Sequence, residues 1–283
     1  MMKVVSTEYS QILAARVAQE SGSELVDVRF SRFPDGEQYL RTGPVGDEVL
    51  IIGSVTDSDS LIQLLLLIDA CEDARSTLLI PYMGYARQDK QFRPGEPLSA
   101  RAIARALSRG VNDVMTINIH DRDSLRFFSV PARNLSIAAE IGDYLSGLSL
   151  NDPLILAPDD GAEYFAMEVA LTNGWDTDHL EKTRLSAEEV RMEPAGITAE
   201  GRDVVIVDDI ISTGGTLAMA TGMLYEKGAS CVYAACVHGV FASGAYGRLR
   251  ASGIREVFAS DTIEQGCSVF SAAREVVSSI RRC

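Results

Sequence analysis

No apolar run in this chain is long enough to cross a bilayer. The longest, Leu61-Ile62-Gln63-Leu64-Leu65-Leu66-Leu67-Ile68, falls far short of the roughly 20 residues a spanning helix needs and reads as a buried helix or subunit interface. No membrane role is expected. The N-terminus has no basic segment leading into an apolar core, so no secretory signal is expected and a cytoplasmic location is. Cysteines are few: Cys71, Cys231, Cys236, Cys267 and Cys283 show no paired metal-ligand spacing, and an odd number argues for free thiols. Cys231 and Cys236 sit in an apolar run and read as core residues. Cations are also scarce. With 26 Lys and Arg against 40 Asp and Glu, the net charge is -14, which disfavours a non-specific nucleic-acid surface. A locally basic pocket for phosphates remains open, and the acidity fits solubility or a salty cytoplasm equally well.

What is present is a globular composition: 283 residues, 46% hydrophobic and 23% charged, enough for one large domain or two smaller ones. Strand-like runs at 3–6, 24–29, 49–55, 77–81, 113–119, 153–157, 203–207, 230–237 and 256–259 alternate with helical patterns at 8–20, 60–72, 99–108, 136–145, 162–171, 216–227 and 269–281. This alternation predicts an α/β fold of parallel sheets flanked by helices. The near-continuous apolar strands predict sheets buried on both faces. Ser, Gly, Asn, Asp and Pro cluster at 147–153, which predicts domains at 1–147 and 148–283, with the last helix a candidate to pack back on the first domain. An internal echo suggests two copies of one domain: the run 49–55 leads through Thr56-Asp57-Ser58-Asp59 into a helix, as the run 204–207 leads into a glycine loop. Segments 32–38, 87–98 and 174–189 read as loops, the last long enough to be a mobile flap.

The most telling stretch is Val204-Val205-Ile206-Val207-Asp208-Asp209-Ile210-Ile211-Ser212-Thr213-Gly214-Gly215-Thr216, followed by a helical pattern. A strand that ends in carboxylates and turns through glycines into a helix suits a sugar phosphate. Loop N–H groups and the helix dipole attract the phosphate, and carboxylates accept from ribose hydroxyls. The plainer reading is a buried strand and a turn. Phe33-Pro34-Asp35-Gly36-Glu37 sets an aromatic ring beside two carboxylates, suited to a base and its exocyclic amine, or simply to a surface turn. Pro81-Tyr82-Met83-Gly84-Tyr85-Ala86-Arg87-Gln88-Asp89 is a poor core sequence after a strand, with Arg87 suited to phosphates and Gln88 to a base or sugar edge.

The loop at 208–216 resembles the 5-phosphoribosyl loop of type I phosphoribosyltransferases. Together the three motifs resemble the ribose-phosphate pyrophosphokinase family, its archaeal members most of all. The resemblance implies two phosphoribosyltransferase-like domains and a ribose-phosphate diphosphokinase. Such an enzyme moves the β,γ-diphosphoryl group of ATP to the C1 hydroxyl of ribose 5-phosphate, with Mg²⁺, giving AMP and phosphoribosyl pyrophosphate. By the same resemblance Phe33, Asp35, Gly36 and Glu37 match an adenine-binding turn supplied by a neighbouring subunit, so a homodimer or higher homo-oligomer is implied. Arg87 and Gln88 match the ATP-binding pair. His120 and Asp159 match metal-site residues. Lys182 and Arg184 match the basic pair of the catalytic flap. Asp208 and Asp209 match the ribose carboxylates, and Ser212, Thr213, Gly214, Gly215 and Thr216 match the 5-phosphate loop.

Each residue also has a plainer reading. His120 ends an apolar strand and suits a hydrogen-bonded core histidine; Lys182 suits a solvated surface; Asp159 or Asp160 suits a cap on the next helix. His179 and His238 are read as structural. The chain departs from bacterial relatives in Ser212, where they carry aspartate, and in Thr183, where many carry arginine. It also looks shorter than the bacterial type, so their regulation is not carried over. Two rivals stand beside the synthetase: a true phosphoribosyltransferase, which the phosphate loop alone admits, and a non-catalytic regulatory relative, expected to have lost site residues.

Overall fold

The computed structural model describes residues 2–184, 190–194, 196 and 198–282, the side chains of 182–194 excepted. Their contacts form two α/β units. One comprises Met1–Ser136, Asp261–Glu264 and Ser271–Cys283; the other comprises Ile137–Ser260 and Gln265–Phe270.

In chain order the first unit contains β1 (Lys3–Ser6), α1 (Gln11–Ser21), β2 (Glu24–Leu25), β3 (Val28–Arg32), β4 (Gln38–Thr42), β5 (Glu48–Ile52), α2 (Ser58–Asp69), β6 (Arg75–Ile80), α3 (Ser99–Leu107), β7 (Asp113–Ile117) and β8 (Ala132–Leu135). Six of these strands form a sheet in the order β2-β1-β5-β6-β7-β8, every pair parallel. Val49, Leu50, Ile51 and Ile52 are all buried, so successive side chains on both faces of β5 are covered, as a helix-flanked parallel sheet requires. The run 24–29, expected as one strand, is two. Val26 still bonds β1 through the Val4 carbonyl, but at Val28 the chain leaves the sheet and pairs antiparallel with β4 as a separate hairpin.

The second unit contains α4 (Ala138–Ser146), β9 (Leu154–Ala157), α5 (Glu163–Leu171), β10 (Asp176–Arg184), β11 (Val190–Pro194), β12 (Asp203–Ile211), α6 (Gly215–Glu226), β13 (Cys231–Gly239), α7 (Ala245–Ala251), β14 (Val257–Ser260) and β15 (Ser268–Phe270). Its sheet runs β11-β10-β9-β12-β13-β14-β15, parallel except for β11. The expected loop at 174–189 is corrected here: residues 176–184 are strand, and 185–189 lie outside the described residues. The composition of β10 hid it. The strand pairs with β9 only from Asp176 to His179 and thereafter only with β11, and such outer positions tolerate Asp, Glu and Lys.

Both sheets share one connectivity, with β1, β2, β5, β6, β7 and β8 matching β9, β10, β12, β13, β14 and β15 in order and in position. The internal echo is therefore a repeat of topology. The helices that follow the last strands are exchanged. After β8 the chain enters α4, which packs on α5 and β15 of the second unit. After β15 it enters α8 (Ala273–Arg281), which packs on α1 and β8 of the first.

Two carboxylates fix that return within the first unit. Asp261, 1% exposed, accepts from Arg16 at 2.7 Å, from the Ser271 hydroxyl and from the Ala272 N–H at 2.9 Å. Asp261 is buried while Arg16 is partly exposed, so the pair owes its worth to the hydrogen bonds that satisfy the buried carboxylate. Glu264 accepts the Ile12 and Leu13 N–H groups at 2.7 and 3.0 Å, capping α1, whose own N-cap Ser10 makes no side-chain cap bond.

Candidate active site

The acidic residues of the second unit gather where its parallel strands end. β9 and β12 are adjacent, in register from Leu154 opposite Val204 to Leu156 opposite Ile206. Asp159 follows the end of β9, and Asp208 and Asp209 stand near the end of β12. Ligands of open α/β sheets bind at this carboxyl edge. The Asp208 carboxylate accepts the Asp209 N–H at 2.9 Å. Burial pushes the Asp208 carboxyl well above the usual carboxylate range, and the charges of Asp209 and Asp159 push it further. A buried carboxyl beside two further acidic side chains suits hydroxyl donors or a cation from a ligand. Asp159 also accepts the Gly161 N–H at 3.2 Å, so it caps the short turn after β9 as well as facing the acidic group. His179, on β10, stands beside this turn, its ring nitrogens 3.6 Å from Asp160 and 3.8 Å from Glu163.

Beyond Ile211 the chain turns through Ser212 and Thr213 to Gly214, the N-cap of α6, at φ 69°. A Cβ there would be strained by the left-handed backbone and would stand 3.1 Å from Leu249. The N-cap of α6 is a glycine and makes no side-chain cap bond. The equivalent end in the first unit is closed. Asp57 accepts the Ser60 N–H at 2.8 Å, and the Ser60 hydroxyl accepts the Asp57 N–H at 2.9 Å, a full capping box on α2. One repeat fills its helix end with its own carboxylate. The other presents N–H groups and a helix dipole to an incoming anion. The sequence difference is small: Asp57 and Ser60 at the N-cap and third helical position of α2, against Gly214 and Leu217 at those of α6.

Lys182 and Arg184 stand two positions apart near the end of β10, paired in register with Met192 and Val190 of β11. Since Ala157, the last residue of β9, lies opposite His179, this arm runs on past the sheet edge that carries the acidic residues.

In the first unit the turn between β3 and β4 holds Phe33, Asp35, Gly36 and Glu37. The Phe33 N–H meets the Glu37 carbonyl at 2.8 Å, the Gly36 N–H meets the Phe33 carbonyl at 2.9 Å, and Asp35 accepts the Glu37 N–H at 3.2 Å. Phe33 is 49% exposed and edge-on to Tyr39. Arg32 anchors the turn, donating to the Gly36 carbonyl at 3.1 Å and to Asp59 at 2.6 Å, while the Gln38 amide reaches the Asp59 carbonyl at 2.8 Å. The ion pair is half exposed and screened by solvent, so it sets geometry more than stability.

Arg87 and Gln88 lie beyond β6, on a segment pulled in beside α2. Gly84 passes so close to the Val55 carbonyl that a Cβ would lie 2.3 Å from it, and Tyr85, at φ 66°, meets the Ser58 hydroxyl at 2.9 Å. Arg87 is exposed, while Gln88 bonds Ser99 and the Ala100 N–H. Asp89 meets Asp121, the residue after His120. Burial raises the Asp89 carboxyl, but hydrogen bonds from Asp121 and the backbone, with the Lys90 charge, hold it below its usual range. His120 itself is exposed beyond β7, so the core-histidine reading is corrected. The Asn118 turn, closed by the Asn118 N–H on Leu135 and the Ile119 N–H on Asn134, swings it out of the sheet. The first unit thus brings Gln88, Asp89, His120 and Asp121 together, and the second brings Asp159, Asp208, Asp209 and the open end of α6.

Among the described residues no three His, Cys, Asp or Glu side chains form a metal cage.

Comparison with known proteins places the chain among relatives of one kind. The family model described as the N-terminal domain of ribose phosphate pyrophosphokinase matches residues 2–110, and that of the phosphoribosyl transferase domain matches residues 132–271. A ribose-phosphate pyrophosphokinase of Methanosarcina acetivorans is 45% identical over 99% of this chain and 100% of its own. One from Methanopyrus kandleri is 40% identical over 99% of this chain and 98% of its own. The crystal structure of phosphoribosylpyrophosphate synthetase from Mycobacterium smegmatis superposes with a TM-score of 0.84 and 28% identity, covering 99% of this chain and 97% of that one.

Proposed function

The chain belongs to the ribose-phosphate pyrophosphokinase family, and on that premise we propose how it works. It is a ribose-phosphate diphosphokinase, and its substrates are ATP and ribose 5-phosphate. The C1 hydroxyl oxygen of the sugar attacks the β-phosphorus of ATP. A bond forms between that oxygen and the β-phosphorus, the bond from the β-phosphorus to the α,β-bridging oxygen breaks, and AMP leaves with that oxygen. The other product is phosphoribosyl pyrophosphate.

The observation that carries the residue roles is the contrast between two equivalent helix ends, α2 closed by Asp57 and α6 open behind an acidic pair. In the proposal the 5-phosphate rests on the N–H groups of Ser212, Thr213, Gly214, Gly215 and Thr216, and Asp208 and Asp209 accept from the ribose hydroxyls. Lys182 and Arg184 bring positive charge to the transferring group. Two anionic substrates must meet, so positioning and charge neutralisation do most of the work. Arg87 and Gln88 hold ATP, and Phe33, Asp35, Gly36 and Glu37 hold adenine. Phe33 and Tyr39 are exposed on a hairpin outside the main sheet, which supports adenine binding across subunits and a homo-oligomer of at least two chains.

Mg²⁺ fits this donor set. Asp159 would hold it with substrate phosphates in the second unit, His120 is the ligand proposed within the first, and the ion would offset phosphate charge in the transition state. No described helix is long and apolar enough to cross a membrane, and the proposal places the enzyme in the cytoplasm.

Product analysis tests the reading. The protein is mixed with ATP, ribose 5-phosphate and Mg²⁺, and AMP with phosphoribosyl pyrophosphate is expected, both dependent on the sugar phosphate. ADP alone would refute diphosphoryl transfer. Sugar-phosphate binding without turnover would favour a transferase that consumes phosphoribosyl pyrophosphate.

A further inference from the structure

The 5-phosphate loop does not stand alone. A second loop, between β13 and α7, is fastened to it at three levels. At the base, the N–H groups of Val240 and Phe241 both donate to the Ile211 carbonyl, each at 3.1 Å, just where β12 ends and the phosphate loop begins. In the middle, Leu249 lies under Gly214, where a Cβ would meet its side chain at 3.1 Å. At the top, the Arg248 guanidinium forks between the loops: one nitrogen donates to the Thr213 carbonyl and the other to the Ser243 carbonyl at 3.1 Å.

The backbone of the second loop is unusual. Phe241 has φ 45°, Ser243 has φ 54° and Gly244 has φ 73°, two of the three being non-glycine residues in the left-handed region. Such conformations persist only where the surroundings over-determine them, and they concentrate at functional sites. The Arg248 bond to Ser243 and the edge-on packing of Phe241 against Tyr246 at 5.8 Å supply that constraint.

A phosphate loop binds its anion by turning N–H groups inward, so its carbonyls must turn outward and be satisfied there. Thr213 is the residue just before the glycine that caps α6, and Arg248 takes its carbonyl. We propose that Arg248 is a positioning residue for the 5-phosphate. It holds the Thr213 peptide with its carbonyl away from the site, so that the loop is already formed when ribose 5-phosphate arrives. This rests on the reading of 212–216 as the 5-phosphate loop. Preorganisation of this kind lowers the cost of binding without touching the reacting atoms. A lysine at this place keeps the charge but loses the fork, since only guanidinium presents two coplanar donors in fixed geometry.

The test compares wild type, Arg248→Ala and Arg248→Lys in the full-length enzyme. With Arg248→Ala, the KM for ribose 5-phosphate is expected to rise about tenfold, with kcat within about twofold and the KM for ATP unchanged. Arg248→Lys is expected to fall between the two. Calorimetric titration with ribose 5-phosphate alone should show the same order of affinities. An unchanged KM in Arg248→Ala would overturn the proposal. So would full recovery by Lys, which would assign the effect to charge alone. A parallel loss of kcat and of ATP affinity with a lowered melting temperature would also overturn it, as a general structural effect. If Arg248→Ala does not fold, the Lys variant decides, with an intermediate affinity expected and a wild-type affinity overturning the role. A wild type that makes no phosphoribosyl pyrophosphate would instead defeat the functional reading, and the titration would still decide the role of Arg248.

Discussion

Asp57 accepts the backbone N–H of Ser60 at 2.8 Å, and with that bond the first repeat closes the helix end that the second repeat leaves open. Asp57→Ala should therefore cost about 1 kcal/mol of stability and leave the KM for ribose 5-phosphate unchanged. Gly214→Ala should cost a similar ~1–2 kcal/mol through its left-handed backbone and also raise that KM at least about tenfold. Denaturant melts and steady-state kinetics on both variants check the contrast. Equal effects of the two changes on KM would contradict the assignment of α6.

Lys182→Ala should leave the fold intact and lower turnover on the order of a thousandfold, the scale on which a cation facing a transferring phosphoryl group matters. Turnover near that of wild type, with an unchanged circular dichroism spectrum, would remove Lys182 from the catalytic machinery.

Asp208 titrates above the usual carboxylate range in the folded chain, because it is buried and stands near Asp209 and Asp159. The folded state therefore holds this proton more tightly than the unfolded one. Stability from this group is complete below about pH 4, the unfolded value, and declines as pH rises through the folded value. Asp208→Asn should be more stable than wild type at pH 7 in EDTA, and the difference should vanish near about pH 4. Activity should move the other way, with kcat/KM for ribose 5-phosphate falling on the acid side as Asp208 takes up its proton. Thermal melts across pH, with a matching rate profile, read both.

Arg32 and Asp59 hold the Phe33–Glu37 turn against α2. Asp59→Ala should raise the KM for ATP by about three- to tenfold, leave that for ribose 5-phosphate alone, and change stability by less than about 1 kcal/mol. Equal shifts in the two KM values would disconnect the turn from the nucleotide.

Burial pushes the Cys71 thiol up to about 11 and raises that of Cys236 as well. A thiol reagent at pH 8 should leave both unmodified until the chain unfolds, since the thiolate is the reactive form. Peptide mapping after labelling in native and denaturing buffer would show it.

Much of this was legible in the residues. Strands such as β9 and β12 announce themselves because burial on both faces demands unbroken apolar side chains, and the run from Asp208 to Thr216 exposes its purpose because glycines and carboxylates rarely meet at a strand end for packing reasons. The polar outer strand β10 was hidden, since pairing on a sheet margin needs no apolar pattern. So was α7, a short helix with one Gly and two Arg whose importance lies in two residues, Arg248 and Leu249, that touch a loop some 35 positions earlier. The cap that Glu264 places on α1 spans about 250 residues, and no local pattern announces a bond of that range.

The exchange of α4 and α8 has a consequence for the order in which the molecule is made. A ribosome releases the chain from its N-terminus, and domains ordinarily fold as they emerge. Here residues 1–136 emerge with a complete sheet but without α8, without the Asp261 anchor of Arg16 and without the Glu264 cap on α1. The second unit, by contrast, has all its parts once Phe270 has left the tunnel. The half that is translated first is therefore finished after the second, and the nascent protein carries an uncovered face of α1 until α8 arrives.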